Sequence, residues 1–221
     1  EVEIHLDRVV KPVNRLVFGI NTGSWDRSLF PGPASDMLLS VNREVLRRVK
    51  ESGVTLLKYP GGVASNRYVW NDPSNPPTDM DTEEFLAFAR LVRAEPFITV
   101  NHTASPELAA DWVEYVNHRL GGNVLYWEVG DEVYGPWSPG HTTPEQYVEI
   151  FRQFARAMKA RDPRIKVAAS VSHTDGYGGW TRRVLEGTRE VVDLLAFTFY
   201  PQEPGRESDE ALFASTQRLV R

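Results

Sequence analysis

The chain has 221 residues, long for one small domain and short for two. With 41% hydrophobic, 11% aromatic and 25% charged residues it carries enough apolar material for a large core and does not read as disordered. Its 25 Lys and Arg against 30 Asp and Glu leave a formal charge of −5, which argues against a phosphate-backbone partner and so against nucleic acid. Cysteine is absent, which removes disulfides, thiolate chemistry and Cys-ligated zinc. No run approaches the roughly 20 apolar residues that span a bilayer, so no membrane partner is expected. No basic start with an apolar core reads as a leader, and both secretion and the cytoplasm stay open. Glu1 in place of an initiator Met implies that an upstream segment was removed.

Short apolar, β-branched runs of strand length occur at 15–20, 54–59, 97–101, 124–130, 165–171 and 193–200. Helical patterns lie between them. Asp81 and Glu84 form a capping box ahead of Phe85, Phe88, Ala89 and Val92 at helical spacing. Ser105-Pro106 opens a second helix with Leu108, Ala109, Trp112, Val113 and Val116 on one face. Thr143-Pro144 opens a third that buries Tyr147, Phe151, Phe154 and Met158 and stops at Asp162-Pro163. A last helix-like segment covers 208–221. Apolar strands alternating with amphipathic helices predict an α/β fold with a helix-covered parallel sheet, either doubly wound or closed into a barrel. The first turn, FGINTGSW, carries neither G-x-G-x-x-G nor G-x-x-x-x-G-K, which disfavours a nucleotide-binding doubly wound sheet. The expected fold is therefore a (β/α)8 TIM barrel, as one domain over 1–221. Strand starts about 36 residues apart leave room for only six βα units, so strands seven and eight are expected to be missing.

Reading the strands by parity, Leu125, Trp127 and Val129 share one face, and Tyr126, Glu128, Gly130 and Glu132 the other. Ile98 and Val100 oppose Phe97, Thr99 and Asn101, while Leu195, Phe197 and Phe199 oppose Ala196, Thr198 and Tyr200. A barrel explains this if the apolar parity meets the helices and the polar parity faces the lumen. Asn101, Glu132 and Tyr200 then stand at the C-terminal rim, where barrel enzymes keep their chemistry. Glu132, in the aromatic setting YWEVGDEVYGPW, is placed to exchange a proton with a ligand, although a solvated loop glutamate reads the same way. Glu128 sits in mid-strand on the lumen parity, where an unpaired carboxylate is costly, and Lys58 is its expected partner. Trp70, Trp137 and Trp180 offer flat faces on which a sugar ring can stack, though such side chains also fill cores, and of the three Trp70 is assigned to the substrate. The five histidines are scattered without metal-ligand spacing, so no metal or other cofactor is expected.

Three runs, KYPGGVASNRYVWND (58–72), AEPFITVNHTASPELAADWVEYVN (94–117) and YWEVGDEVYGPWSPGHTTPEQY (126–147), occur in the order and spacing of successive barrel units. They resemble the second, third and fourth units of retaining α-L-arabinofuranosidases of glycoside hydrolase family 51, in clan A. The likeness extends more weakly through VDLLAFTFYP (192–201). The resemblance implies that Glu132 is the acid/base glutamate, that Tyr200 is a strand-six tyrosine contacting the nucleophile, and that Lys58, Asn101 and Asp131 line the site. It also places the nucleophile on a seventh strand beyond this sequence. Retaining hydrolysis needs two carboxyls about 5 Å apart, so the chain is expected to hold half the machinery, and Glu203 is the nearest substitute within it.

Several positions depart from the family pattern. Asp131 replaces an Asn before the acid/base and, when ionised, can only accept a hydrogen bond. Lys58 replaces an Arg and loses its bidentate fork. Val63 replaces an Asn, Thr198 a His, and the family's Glu after strand one has no counterpart at 21–23. The expectation is an arabinofuranosidase-like hydrolase of plant-type poly- or oligosaccharide. The alternative is a non-catalytic carbohydrate-binding or self-associating partial barrel. In either case the open sheet edges should be covered by self-association or by a complementing segment.

Overall fold

The structure, a computed structural model, describes residues 12–26, 28–29, 41–76, 79–174, 176–200, 205 and 208–219. Among these residues six strands alternate with six α-helices: β1 (Gly19–Asn21), α1 (Arg43–Glu51), β2 (Leu56–Tyr59), α2 (Thr82–Val92), β3 (Glu95–Val100), α3 (Pro106–Glu114), β4 (Tyr126–Val129), α4 (Pro144–Arg161), β5 (Lys166–Ser172), α5 (Gly176–Thr188), β6 (Leu194–Thr198) and α6 (Asp209–Leu219). All strand pairs are parallel and the order across the sheet is β1-β2-β3-β4-β5-β6. Strand order that never reverses distinguishes this sheet from a doubly wound one, which has a switch point. The sheet is a curled half-barrel of the (β/α)8 type.

The helices begin where the sequence chemistry directs. At α2, Asp81 Oδ1 accepts from the Glu84 amide at 2.8 Å while the Asp81 amide donates to Glu84 Oε2 at 3.1 Å. Ser105 caps α3 through the Leu108 amide, and Thr143 with Gln146 forms the capping box of α4. Two helices were not singled out from sequence. α1 buries no residue fully and is laced by exposed pairs of Arg47 and Arg48 with Glu44 and Glu51. α5 opens with Tyr177, Gly178 and Gly179 in the left-handed region before turning regular and burying Trp180, Val184 and Thr188.

The expected parity holds through the middle of the sheet. Ile98, Val100, Trp127 and Val129 are buried in one core with Phe85, Phe88, Trp112, Tyr147 and Phe151 from the helices. Each such side chain contributes about 1.5–3 kcal/mol on burial. The outer strands differ. Among the described residues β1 and β6 have a strand neighbour on one side only, and Ile20 (44% exposed) and Phe197 (57%) stand in solvent. The first strand is also shorter than its apolar run: residues 15–17 form a 3-10 turn capped by Asn14, so pairing starts only at Gly19.

Candidate active site

The fourth strand carries the site. In register, Lys58 pairs with Phe97, Phe97 with Tyr126, and Thr99 with Glu128, so Lys58 starts two residues below Glu128 on the inner face. Its four-carbon stem climbs that step. Lys58 Nζ lies 2.6 Å from Glu128 Oε2 and 2.6 Å from Asp131 Oδ1, with Thr99 donating to Glu128 at 2.7 Å. The expected Lys58–Glu128 pair is therefore present, and Asp131 joins it. Burial alone would lower the Lys58 pKa, but the two carboxylates outweigh it and hold the ammonium well above its usual range. Burial pushes Glu128 up, against the pull of Lys58 and Thr99. One ammonium and two carboxyl groups thus share the lumen floor.

Beyond β4 the chain turns sharply. Gly130 has φ +69°, and a Cβ there would meet Val133 at 2.5 Å and the His102 ring at 2.7 Å. Glu132 itself has φ +47°, which for an L-residue costs about 1–2 kcal/mol. Asn66, fully buried, stabilises this geometry. Its amide donates to the Asp131 carbonyl at 2.8 Å, and its carbonyl accepts from the Asp131 amide at 3.0 Å. Ser138 Oγ donates to the same Asp131 carbonyl at 3.0 Å. His102 lies between Asn66 Oδ1 and the Gly140 carbonyl, and burial lowers its pKa.

So held, the Glu132 carboxyl stands at the rim. Trp137 Nε1 donates to Oε2 at 2.7 Å, and the Tyr200 hydroxyl reaches Oε1 at a long 3.4 Å. Burial and the Glu132 charge both push the Tyr200 phenol up. The mouth is a cleft of about 700 Å³ lined by Lys58, Asp131, Glu132, Trp137, Thr198 and Tyr200 among others. Asp131 lines the cleft, and among the described residues no hydrogen bond reaches its Oδ2. Among the described residues no three His, Cys, Asp or Glu side chains gather as a metal site.

The sequence-derived residues separate into two groups. Glu132, Asp131, Lys58 and Tyr200 converge on the cleft. Trp70 does not line it: its indole stacks on Trp112 and Tyr115 and donates to the Leu108 carbonyl. Asn101 and Trp70 border a separate small cavity, and Asn101 Oδ1 accepts from the Thr103 amide and hydroxyl, which fixes the turn after β3. Trp180 is core, bonded to the Ser170 carbonyl. Of the three tryptophans weighed from sequence, Trp137 is the one on the cleft. Glu203 lies outside the described residues. Asn66 was missed, and the available signal was a polar residue inside the PGG motif segment.

A sequentially ordered parallel half-barrel with a carboxyl at the end of its fourth strand is the architecture of the (β/α)-barrel glycoside hydrolases. Within that class, the chain resembles the family 51 α-L-arabinofuranosidases over about their N-terminal half. It is 31% identical to intracellular exo-α-(1→5)-L-arabinofuranosidase 1 of Bacillus subtilis, over 72% of this chain and 39% of that protein. It is 29% identical to the probable α-L-arabinofuranosidase C of Aspergillus clavatus, over 81% and 42% respectively. The α-L-arabinofuranosidase from Thermotoga maritima, solved as an arabinose complex, superposes with a TM-score of 0.80 and 26% identity, over 96% of this chain and 51% of that one. The chain therefore spans two fifths to one half of the length of these relatives. No family model matches the sequence.

Proposed function

We propose that the chain supplies the acid/base half of a retaining, arabinofuranosidase-like glycoside hydrolase site, with Glu132 as the proton donor and acceptor. The observation that carries this reading is the Glu132 carboxyl held at the rim of β4 between Trp137 and Tyr200, facing the cleft. In the first step the protonated carboxyl gives its proton to the leaving glycosidic oxygen. In the second, the carboxylate takes a proton from the attacking water. Asp131 Oδ2 accepts from a hydroxyl of the bound sugar, and Lys58 keeps Asp131 aimed. The substrate is a plant-type arabinose-containing oligo- or polysaccharide.

Asp131 is committed to Lys58 and follows the same strand end as Glu132, so it does not serve as the second carboxyl. The nucleophile comes from residues outside this sequence. The same completion would cover the β1 and β6 edges, by a complementing segment or a second copy, with 1–221 acting as one domain. The test titrates the chain with methyl α-L-arabinofuranoside, following the Trp137 indole N–H by NMR, and assays aryl arabinofuranoside hydrolysis in parallel. The resonance should move, with little or no turnover. An unmoved resonance overturns the reading, and robust turnover abolished by Glu132→Gln overturns the missing nucleophile.

A further inference from the structure

His102, only 4% exposed, lies beside the Glu132 turn and takes no part in the proton transfers described above. Its ring fills the gap between the two ends of the loop that carries Glu132. A Cβ on Gly130 (φ +69°) would meet Nδ1 at 2.7 Å, and one on Gly140 (φ +70°) would meet Nε2 at 3.1 Å. Nδ1 stands 3.1 Å from Asn66 Oδ1, and Nε2 stands 3.0 Å from the Gly140 carbonyl.

Both partners are acceptors. For Gly140 this holds by definition, since the group is a backbone carbonyl. For Asn66 it follows from Asp131: Oδ1 accepts from the Asp131 amide at 3.0 Å, while Nδ2 donates to the Asp131 carbonyl at 2.8 Å and to Ser138 Oγ at 2.7 Å. Those backbone groups have fixed polarity, so the Asn66 side chain cannot be reversed. A neutral imidazole has one N–H, which serves one of the two oxygens and leaves a lone pair facing the other. The imidazolium donates to both. On the surrounding loops, Asp131 turns to Lys58 and Glu132 to Trp137, while Arg67 and His141, chain neighbours of Asn66 and Gly140, are exposed. Among the described residues no carboxylate bonds the ring.

We propose that His102 is a positioning residue with two settings: with one ring proton it ties either Asn66 or Gly140, and with two it ties both and closes the 130–140 loop over the turn that presents Glu132. Burial opposes the second proton and the Gly140 carbonyl favours it, so the change falls below the ordinary histidine range. The consequence for acid/base chemistry rests on the glycosidase reading; the clasp itself does not.

The test is a ligand-free titration of the full chain from about pH 8 to 4, following the His102 ring nitrogens and the Trp137 indole N–H by NMR. It is repeated in Glu132→Gln, which removes that carboxyl's own titration. His102 should gain its second proton, both ring nitrogens should then carry N–H, and Trp137 should shift with the same midpoint in either background. His102→Gln should abolish that shift. A ring that keeps a lone pair down to pH 4 overturns the two settings. A ring that takes the proton while Trp137 stays still, or a Trp137 shift that persists in His102→Gln, overturns the positioning role. If His102→Gln fails to fold, the Glu132→Gln titration still decides by the match of midpoints. Because no sugar is present, failure here is distinct from failure of methyl α-L-arabinofuranoside to bind.

Discussion

The Lys58 ammonium stands 2.6 Å from the Asp131 carboxylate and, with the same nitrogen, 2.6 Å from Glu128. Two carboxylates therefore depend on one cation, and Glu128, 1% exposed, has no route to water if it is lost. Lys58→Met should destabilise the chain by about 3–5 kcal/mol at pH 7, read from urea unfolding. Adding Glu128→Gln should restore much of that loss, because the uncompensated charge is then gone. A single-variant cost under about 1 kcal/mol would mean that the cation is dispensable.

The same pair sets a pH dependence with a defined sign. Burial raises Glu128, so the folded state keeps its proton at pH values where the unfolded chain has released it. The Glu128 contribution is then largest below the ordinary carboxylate range near pH 4 and falls as pH rises through the elevated folded value. Removing Lys58 raises that value further. The Lys58→Met deficit should therefore shrink as pH is lowered toward 4, and a deficit constant from pH 7 to 4 would contradict this assignment.

Asp162 titrates in the opposite sense. Arg164 donates to it at 2.9 and 2.8 Å and Asn117 at 2.9 Å, and its carboxyl is held down to about 2. Its contribution is complete above about pH 4 and disappears as pH falls from there to 2. Because Arg164 is largely exposed, the loss should be roughly 1–2 kcal/mol. Asp162→Asn should show the lower stability already at pH 7 and no further fall over that window. Chemical denaturation at a series of pH values separates the two curves.

What was legible in the sequence follows the range of the interaction. The Asp81–Glu84 and Thr143–Gln146 caps are local, and they appear where the motifs put them. The Lys58–Glu128 pair is 70 positions apart in sequence, yet strand parity and the cost of a buried charge sufficed to infer it. For Asn66 its place in the PGG segment did not point to its partners, which are the backbone groups of a residue 65 positions away that only the folded loops bring to it. Trp70 and Trp137 look alike in sequence. The stack on Trp112 and Tyr115 packs one against the core, and the bond to Glu132 keeps the other on the cleft.

Asn66 acts on Glu132 through the backbone and is a positioning residue. Asn66→Ala leaves the Asp131 amide and carbonyl short of partners, at a cost of about 1–3 kcal/mol. It also releases the turn that holds Glu132 at φ +47°. The Trp137 indole N–H, which reports the hydrogen bond to Glu132, should shift toward its solvent-exposed position. An unchanged Trp137 resonance alongside reduced stability would make Asn66 structural only.

The edge strands make a prediction about assembly. Ile20 on β1 and Leu194, Leu195 and Phe197 on β6 are exposed, and among the described residues each of these edge strands has a strand neighbour on one side only. Light scattering should therefore report a mass above 25.0 kDa, or a co-purifying fragment. Ile20→Lys with Leu195→Lys places a cation on each edge and should lower that mass without unfolding the core, because neither side chain is buried. A wild-type chain that stays monomeric at high concentration would show that these edges do not pair.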